Sequence, residues 1–149
     1  MKPRTRACTG WCPKKDFLLP SLLPDIGQLA EKMQLALAGH LSPLWIAEGD
    51  IRNLPQIEGI SLGVTPDVQY GIKEILLSPG ESILFFTDGV IEAENENNEL
   101  FGNERLVTYL KNAKGPPWGK GLLDLVSDWR GNSSANDDLT ILEIWRDYN

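Results

Sequence analysis

Two short acidic turns hold the residues best suited to chemistry, Thr87-Asp88-Gly89 and Asn136-Asp137-Asp138. The first directly follows the apolar run Ser82-Ile83-Leu84-Phe85-Phe86, and the second directly precedes the apolar run Leu139 to Trp145. A carboxylate at the end of a rigid, buried strand is held in one place, and Gly89 lets backbone or water come close to it. Two such carboxylates at neighbouring strand ends offer hard oxygen donors suited to Mg or Mn. An ion so held polarises a phosphoryl oxygen and supplies a bound hydroxide as nucleophile. A plainer reading stands beside this one. Thr87 or Asp88 can cap a short helix starting at Val90, and Asn136-Asp137 can be an ordinary turn before a strand.

Other reactive side chains are few. His40 is the single histidine, and it is expected to be a structural residue at a strand end rather than a proton carrier. Cys8 and Cys12 stand one helical turn apart and are expected as free thiols, because two cysteines and one histidine do not make a four-ligand zinc site. Trp118, Trp129 and Trp145 are expected in the core.

The elements that must position the two turns follow from hydrophobic spacing. Met33 to Ala38 and Pro43 to Ala47 are short apolar runs, and Glu48-Gly49-Asp50 then leads into Ile51 to Leu54 as in a hairpin. Val68 to Leu77 reads as a strand closed by the turn Ser78-Pro79-Gly80. Ser82 to Phe86 is apolar on both faces and must lie between layers. Asn103 to Asn112 reads as a helix with Leu106, Val107 and Leu110 on one face. After Gly115-Pro116-Pro117 a second helix carries Trp118, Leu122, Leu125, Val126 and Trp129 at helical spacing, with Pro117 in its first turn and Gly131 at its end. Strands come first and helices late, which favours an α+β class. Residues 1–32 form an irregular, Pro-punctuated arm with a short helix around Asp25 to Lys32, and 33–149 form the domain.

Bulk properties narrow the function classes. The 149 residues suffice for one domain, and 42% apolar with 23% charged residues is ordinary for a globular chain. The formal net charge of -7 disfavours a nucleic-acid partner, which needs clustered Lys and Arg. No apolar run reaches 18 residues, so no transmembrane helix and no membrane partner are expected. Lys2, Arg4 and Arg6 raise the question of a signal peptide, but the prolines that follow and the lack of a small-residue cleavage site argue against one. A cytoplasmic location is expected.

Six spaced motifs carry a family resemblance. They are Ala38-Gly39-His40; Ser61-Leu62-Gly63-Val64; Leu77-Ser78-Pro79-Gly80-Glu81; Phe86-Thr87-Asp88-Gly89-Val90-Ile91-Glu92-Ala93; Phe101-Gly102-Asn103-Glu104-Arg105-Leu106; and Asp137-Asp138-Leu139-Thr140. In this order, from about Met33 to Trp145, they resemble the C-terminal part of a bacterial, SpoIIE-like PPM-type serine/threonine protein phosphatase. The resemblance implies an antiparallel β-sandwich flanked by helices (α-β-β-α), with two Mn or Mg ions at one edge. It implies hydrolysis of phosphoserine or phosphothreonine by a metal-bound water, with no side-chain nucleophile. Asp88 and Asp137 then match the metal ligands, Gly89 and Asp138 support them, and Glu92 lies on the surface beside them. The implied substrate is a phosphorylated regulator in bacterial signalling, such as an anti-sigma-factor antagonist.

The resemblance also implies what is missing. The family's first half carries an early acidic residue and an Asp-x-Ser-Gly-His-Gly-type turn, and neither Asp16 nor Asp25 sits in such a turn. The expectation is an N-terminally truncated phosphatase domain, weakly active or inactive by itself. It is a fragment, a non-catalytic interaction module on the phosphatase fold, or a part completed by a second copy or a separate N-terminal polypeptide.

Overall fold

The computed structural model describes residues 32–47, 50–54, 60–61, 64, 69–133 and 137–148. Among them, in chain order, are β1 (Lys32–Leu35), β2 (Leu44–Ala47), β3 (Asp50–Asn53), β4 (Lys73–Leu76), β5 (Ser82–Phe86), α1 (Asp88–Ile91), α2 (Gly102–Asn112), α3 (Gly119–Arg130) and β6 (Ile141–Trp145). All pairings are antiparallel. One sheet has the order β3-β2-β5-β6, and β1 pairs with β4 in a second.

Strand β5 shows why the layers form. Its five residues are all buried, and successive side chains of a strand point to opposite faces. Leu84 and Phe86 join Leu44, Ile46, Val90, Phe101, Leu106, Leu122 and Val126 in the core beneath the helices. Ile83 and Phe85 join Leu35, Leu54, Ile75 and Leu77 in a second core against the β1-β4 sheet. One apolar strand thus stitches a helix layer to a second sheet, lying between layers as its pattern predicts, in the α+β sandwich that the resemblance implied. Each fully buried leucine contributes about 1.5–3 kcal/mol.

The β2-β3 hairpin forms where expected, with Leu44 opposite Asn53 and Ala47 opposite Asp50. Its Glu48-Gly49 turn lies outside the described residues. The Ser78-Pro79-Gly80 turn closes through Glu81 N–H to Ser78 C=O at 3.0 Å, and Gly80 takes φ 84° as such a turn requires. Helix α3 ends at Gly131 with φ 55°.

Some boundaries differ from expectation. Strand β4 starts at Lys73, and residues 69–72 are not strand; Val68 lies outside the described residues. Strand β1 stops at Leu35, although Leu37 and Ala38 remain buried. Lys32 opens β1 rather than closing a helix; Asp25 to Glu31, Cys8 and Cys12 lie outside the described residues. Leu125 shares the helical spacing of Leu122 and Val126 but is 37% exposed, on the rim of the buried face. Of the three tryptophans expected in the core only Trp118 is buried; Trp129 and Trp145 are half-buried. An indole N–H explains the last two, since Trp129 donates to Glu99 C=O at 3.2 Å and Trp145 to Asp147 at 3.0 Å.

Glu143 is the buried carboxylate of β6, 6% exposed. Its Oε2 accepts from the Gly119 N–H at 3.0 Å, placing a negative charge at the N-terminus of α3. Burial pushes its pKa up, and the N–H groups of Gly119 and Trp118 oppose that rise only in part. A carboxyl with a raised folded-state pKa holds its proton longer folded than unfolded. Its contribution is therefore fully present below the unfolded value, near 4.5, and is lost as pH rises through the folded value. In urea unfolding of Glu143→Gln beside the parent, the parent is expected to lose stability relative to the variant as pH rises above 4.5. A parallel pH response in both proteins rules this account out.

Candidate metal centre and its cleft

Thr87 joins the two acidic turns. It is the last residue before α1, is 6% exposed, and its hydroxyl donates to Asp138 C=O at 2.9 Å and accepts from Thr140 N–H at 2.9 Å. Its own N–H donates to Thr140 C=O at 3.1 Å. These bonds extend the β5-β6 pairing, which ends at Phe86 opposite Ile141, past the end of the ladder. Asp88 follows as the first residue of α1, where the positive end of the helix favours its charge.

Gly89 permits the close approach of the second turn. A methyl group built there would lie 2.5 Å from the Asp138 carbonyl oxygen and 3.5 Å from that of Asp137. Any side chain would force the two backbones apart. Asp137 is fixed in turn by its own Oδ1, which accepts from the Asp138 N–H at 2.8 Å. The backbones bearing Asp88 and Asp137 are thus in contact, as the strand-end argument requires. Asn136 lies outside the described residues.

Beside this junction is a cleft of about 280 Å³, lined in part by Gly89, Glu92, Glu94, Leu100, Arg130 and Asp137. Glu92 is exposed, one turn after Asp88. His40 sits in the β1-β2 connection, half-buried, and does not line the cleft. Sequence reasoning singled out the two turns but missed Thr87 as their link, Arg130 in the cleft wall and Glu143 at the start of α3. Only the sequence distance from Thr87 to Asp138 and Thr140, 51 and 53 residues, hid the first.

The donor chemistry fits one wall of a divalent-metal site: hard carboxylate oxygens on turns pinned by hydrogen bonds. It does not complete one. Among the described residues there is no group of three His, Cys, Asp or Glu side chains placed to hold an ion. Mg and Mn sites need more oxygen donors than Asp88 and Asp137 supply.

Residues 23–147 match the family model of Stage II sporulation protein E (SpoIIE). The chain belongs to the SpoIIE family. Its fold is that of PP2C-type phosphatase domains. It resembles the SiaA-PP2C domain of Pseudomonas aeruginosa with a TM-score of 0.62 at 23% identity, over 78% of this chain and 47% of that one. It also resembles the PP2C domain of SpoIIE from Bacillus subtilis, solved with a fragment of its regulatory domain, with a TM-score of 0.61 at 14% identity over 75% and 33%. A Mn-presoaked structure of the SpoIIE phosphatase domain gives a TM-score of 0.57 at 14% identity, over 79% and 52%. Protein IcfG of Synechocystis sp. is 28% identical over 117 residues, 73% of this chain and 18% of IcfG. The chain therefore spans about half or less of each relative it matches. Among the described residues of this SpoIIE-family chain, no helix is long and apolar enough to cross a membrane.

Proposed function

We propose that this chain forms the Asp88–Asp137 wall of a Mn- or Mg-dependent phosphoserine/phosphothreonine phosphatase site. The observation that carries the reading is the Thr87 hydroxyl bridge, which fixes the Asp88 turn against the Asp137-Asp138 turn. Asp88 and Asp137 serve as ligands. Gly89 leaves room for Asp138, whose carbonyl oxygen anchors Thr87. The remaining ligands come from groups outside the described residues, in this polypeptide, in a second copy or in another protein. A divalent ion bound there supplies Lewis-acid polarisation of the phosphoryl oxygen. The residues of this chain hold that ion at one edge of the sheet and leave the adjoining cleft open for a phosphorylated side chain. Membership of the SpoIIE family and likeness to the PP2C domain of SpoIIE, a cell fate determinant, support a phosphorylated signalling protein as substrate, such as an anti-sigma-factor antagonist, in a cytoplasmic circuit.

The test pairs metal binding with turnover. Mn titration of the purified chain is expected to show binding that weakens by about tenfold or more in Asp88→Asn, as loss of groups serving a metal site does. Mn-dependent hydrolysis of a generic phosphomonoester is expected to be weak, and absent in the variant. Mn binding identical in both proteins removes Asp88 from the site. A metal-indifferent chain that still binds a protein partner favours the non-catalytic module instead.

A further inference from the structure

Among the described residues Arg130 is the one cationic side chain in the wall of the cleft beside Asp137, and its backbone is held there from both sides. The residue before it, Trp129, donates its indole N–H to Glu99 C=O at 3.2 Å. Two residues after it, Asn132 donates from its backbone and its side-chain amide to Glu96 Oε1, at 3.4 and 3.3 Å. Both anchors lie on the 94–100 loop, which forms the facing wall of the same cleft through Glu94 and Leu100. Gly131 then turns the chain away at φ 55°. Among the described residues the guanidinium itself makes one hydrogen bond, a long one of 3.5 Å from Nη2 to Ser133 C=O. The backbone is fixed and the planar donor group is left largely uncommitted, an arrangement suited to a ligand with several acceptor oxygens.

The charges of the described lining residues give an anionic ligand one point of attachment. Glu92, Glu94 and Asp137 are carboxylates, so an anion entering beside Asp137 meets attraction from Arg130 alone among the lining side chains. A carboxylate ligand is met by the same guanidinium. A phosphate offers three terminal oxygens and so keeps oxygens for the Asp88–Asp137 side while presenting others to the fork.

We propose that Arg130 binds the phosphate group of the substrate in the cleft that it lines together with Asp137. The assignment rests on the phosphatase reading for the identity of the substrate, but it makes a separate claim about anion binding. It also assigns the residue a task beyond offering a cation to the C-terminus of α3.

The experiment is a titration of the full chain with inorganic phosphate, followed by NMR, with and without saturating Mg. In the parent protein the Arg130 Nε–Hε resonance is expected to shift with the same midpoint as the backbone amides of Gly89 and Gly131. Arg130→Gln is expected to weaken phosphate binding on the order of ten- to a hundredfold, the usual range for charge-assisted hydrogen bonds. Arg130→Lys is expected to recover part of that loss, since it keeps the charge without the fork. An Arg130 resonance that does not move, or equal phosphate affinity in a folded Arg130→Gln protein, overturns the assignment. The Mg-free arm separates the two claims. If Mg fails to bind but phosphate still depends on Arg130, the metal reading fails and this one stands.

Discussion

Replacing Phe101 by alanine is expected to remove about 3–5 kcal/mol of folding stability, a large part of the total for a domain of this size. Phe101 is 1% exposed and is the bulkiest fully buried side chain among the described residues. It stands in the core with Val90, Leu106, Leu122 and Val126, where the layer under the helices meets the loop that follows α1. Its ring meets Trp129 edge to face, with centroids 6.3 Å apart and planes at 73°. Its backbone is committed as well, donating to Ala93 C=O at 2.8 Å and accepting from Arg105 Nη1 at 3.0 Å. Those bonds hold the backbone in place, so the space left by the ring cannot close easily. Urea unfolding followed by tryptophan fluorescence measures the loss, and a value below about 1 kcal/mol would show that the neighbourhood collapses freely around the missing ring.

Thr87→Val is the second large effect, about 2–4 kcal/mol, from a change that barely alters shape. Valine removes the hydroxyl and leaves Thr140 N–H and Asp138 C=O without their partner, at about 1–3 kcal/mol for each stranded group. The exposure of Asp138 lets water replace part of that, which keeps the sum below the maximum. Thr87→Ser retains the hydroxyl and is expected to recover most of the loss. Amide hydrogen exchange at Thr140 gives a local reading: faster exchange in Thr87→Val and near-parent exchange in Thr87→Ser. Unchanged protection of Thr140 in the valine variant would mean that the bridge does not hold the two turns together.

The parts of this chain that were legible in sequence are those whose cause is local. Ser82 to Phe86 declared itself as a strand between layers because five neighbouring residues all had to be buried. Gly131 marked the end of α3 because a positive φ suits glycine. Leu125 misled because helical spacing marks a stripe without giving its width, and this residue falls on the rim. At the site, Asp88 and Asp137 could be picked out by residue type and by the apolar runs beside them. Arg130 could not, since nothing within a few residues of it points to the 94–100 loop. Glu143 went unnoticed inside the run Leu139 to Trp145, which reads as apolar throughout, and its partner Gly119 lies 24 residues away on another element.

The bond from Glu143 to Gly119 has a reach well beyond its own surroundings. Helix α3 has 12 residues and so is about 18 Å long. Its near end is moored to β6, the strand that Asp137 and Asp138 lead into, and its far end carries Arg130 into the cleft. The helix therefore runs from the strand that follows the acidic turn to the cleft that Arg130 and Asp137 both line. A tilt of roughly five degrees about the moored end would carry the tip by about 1.5 Å over that length. Misplacement on that scale is enough to spoil the alignment of groups that must meet one ligand together. Glu143 thus holds the start of the helix whose last residue lines the cleft, while Trp129 and Asn132 hold its end.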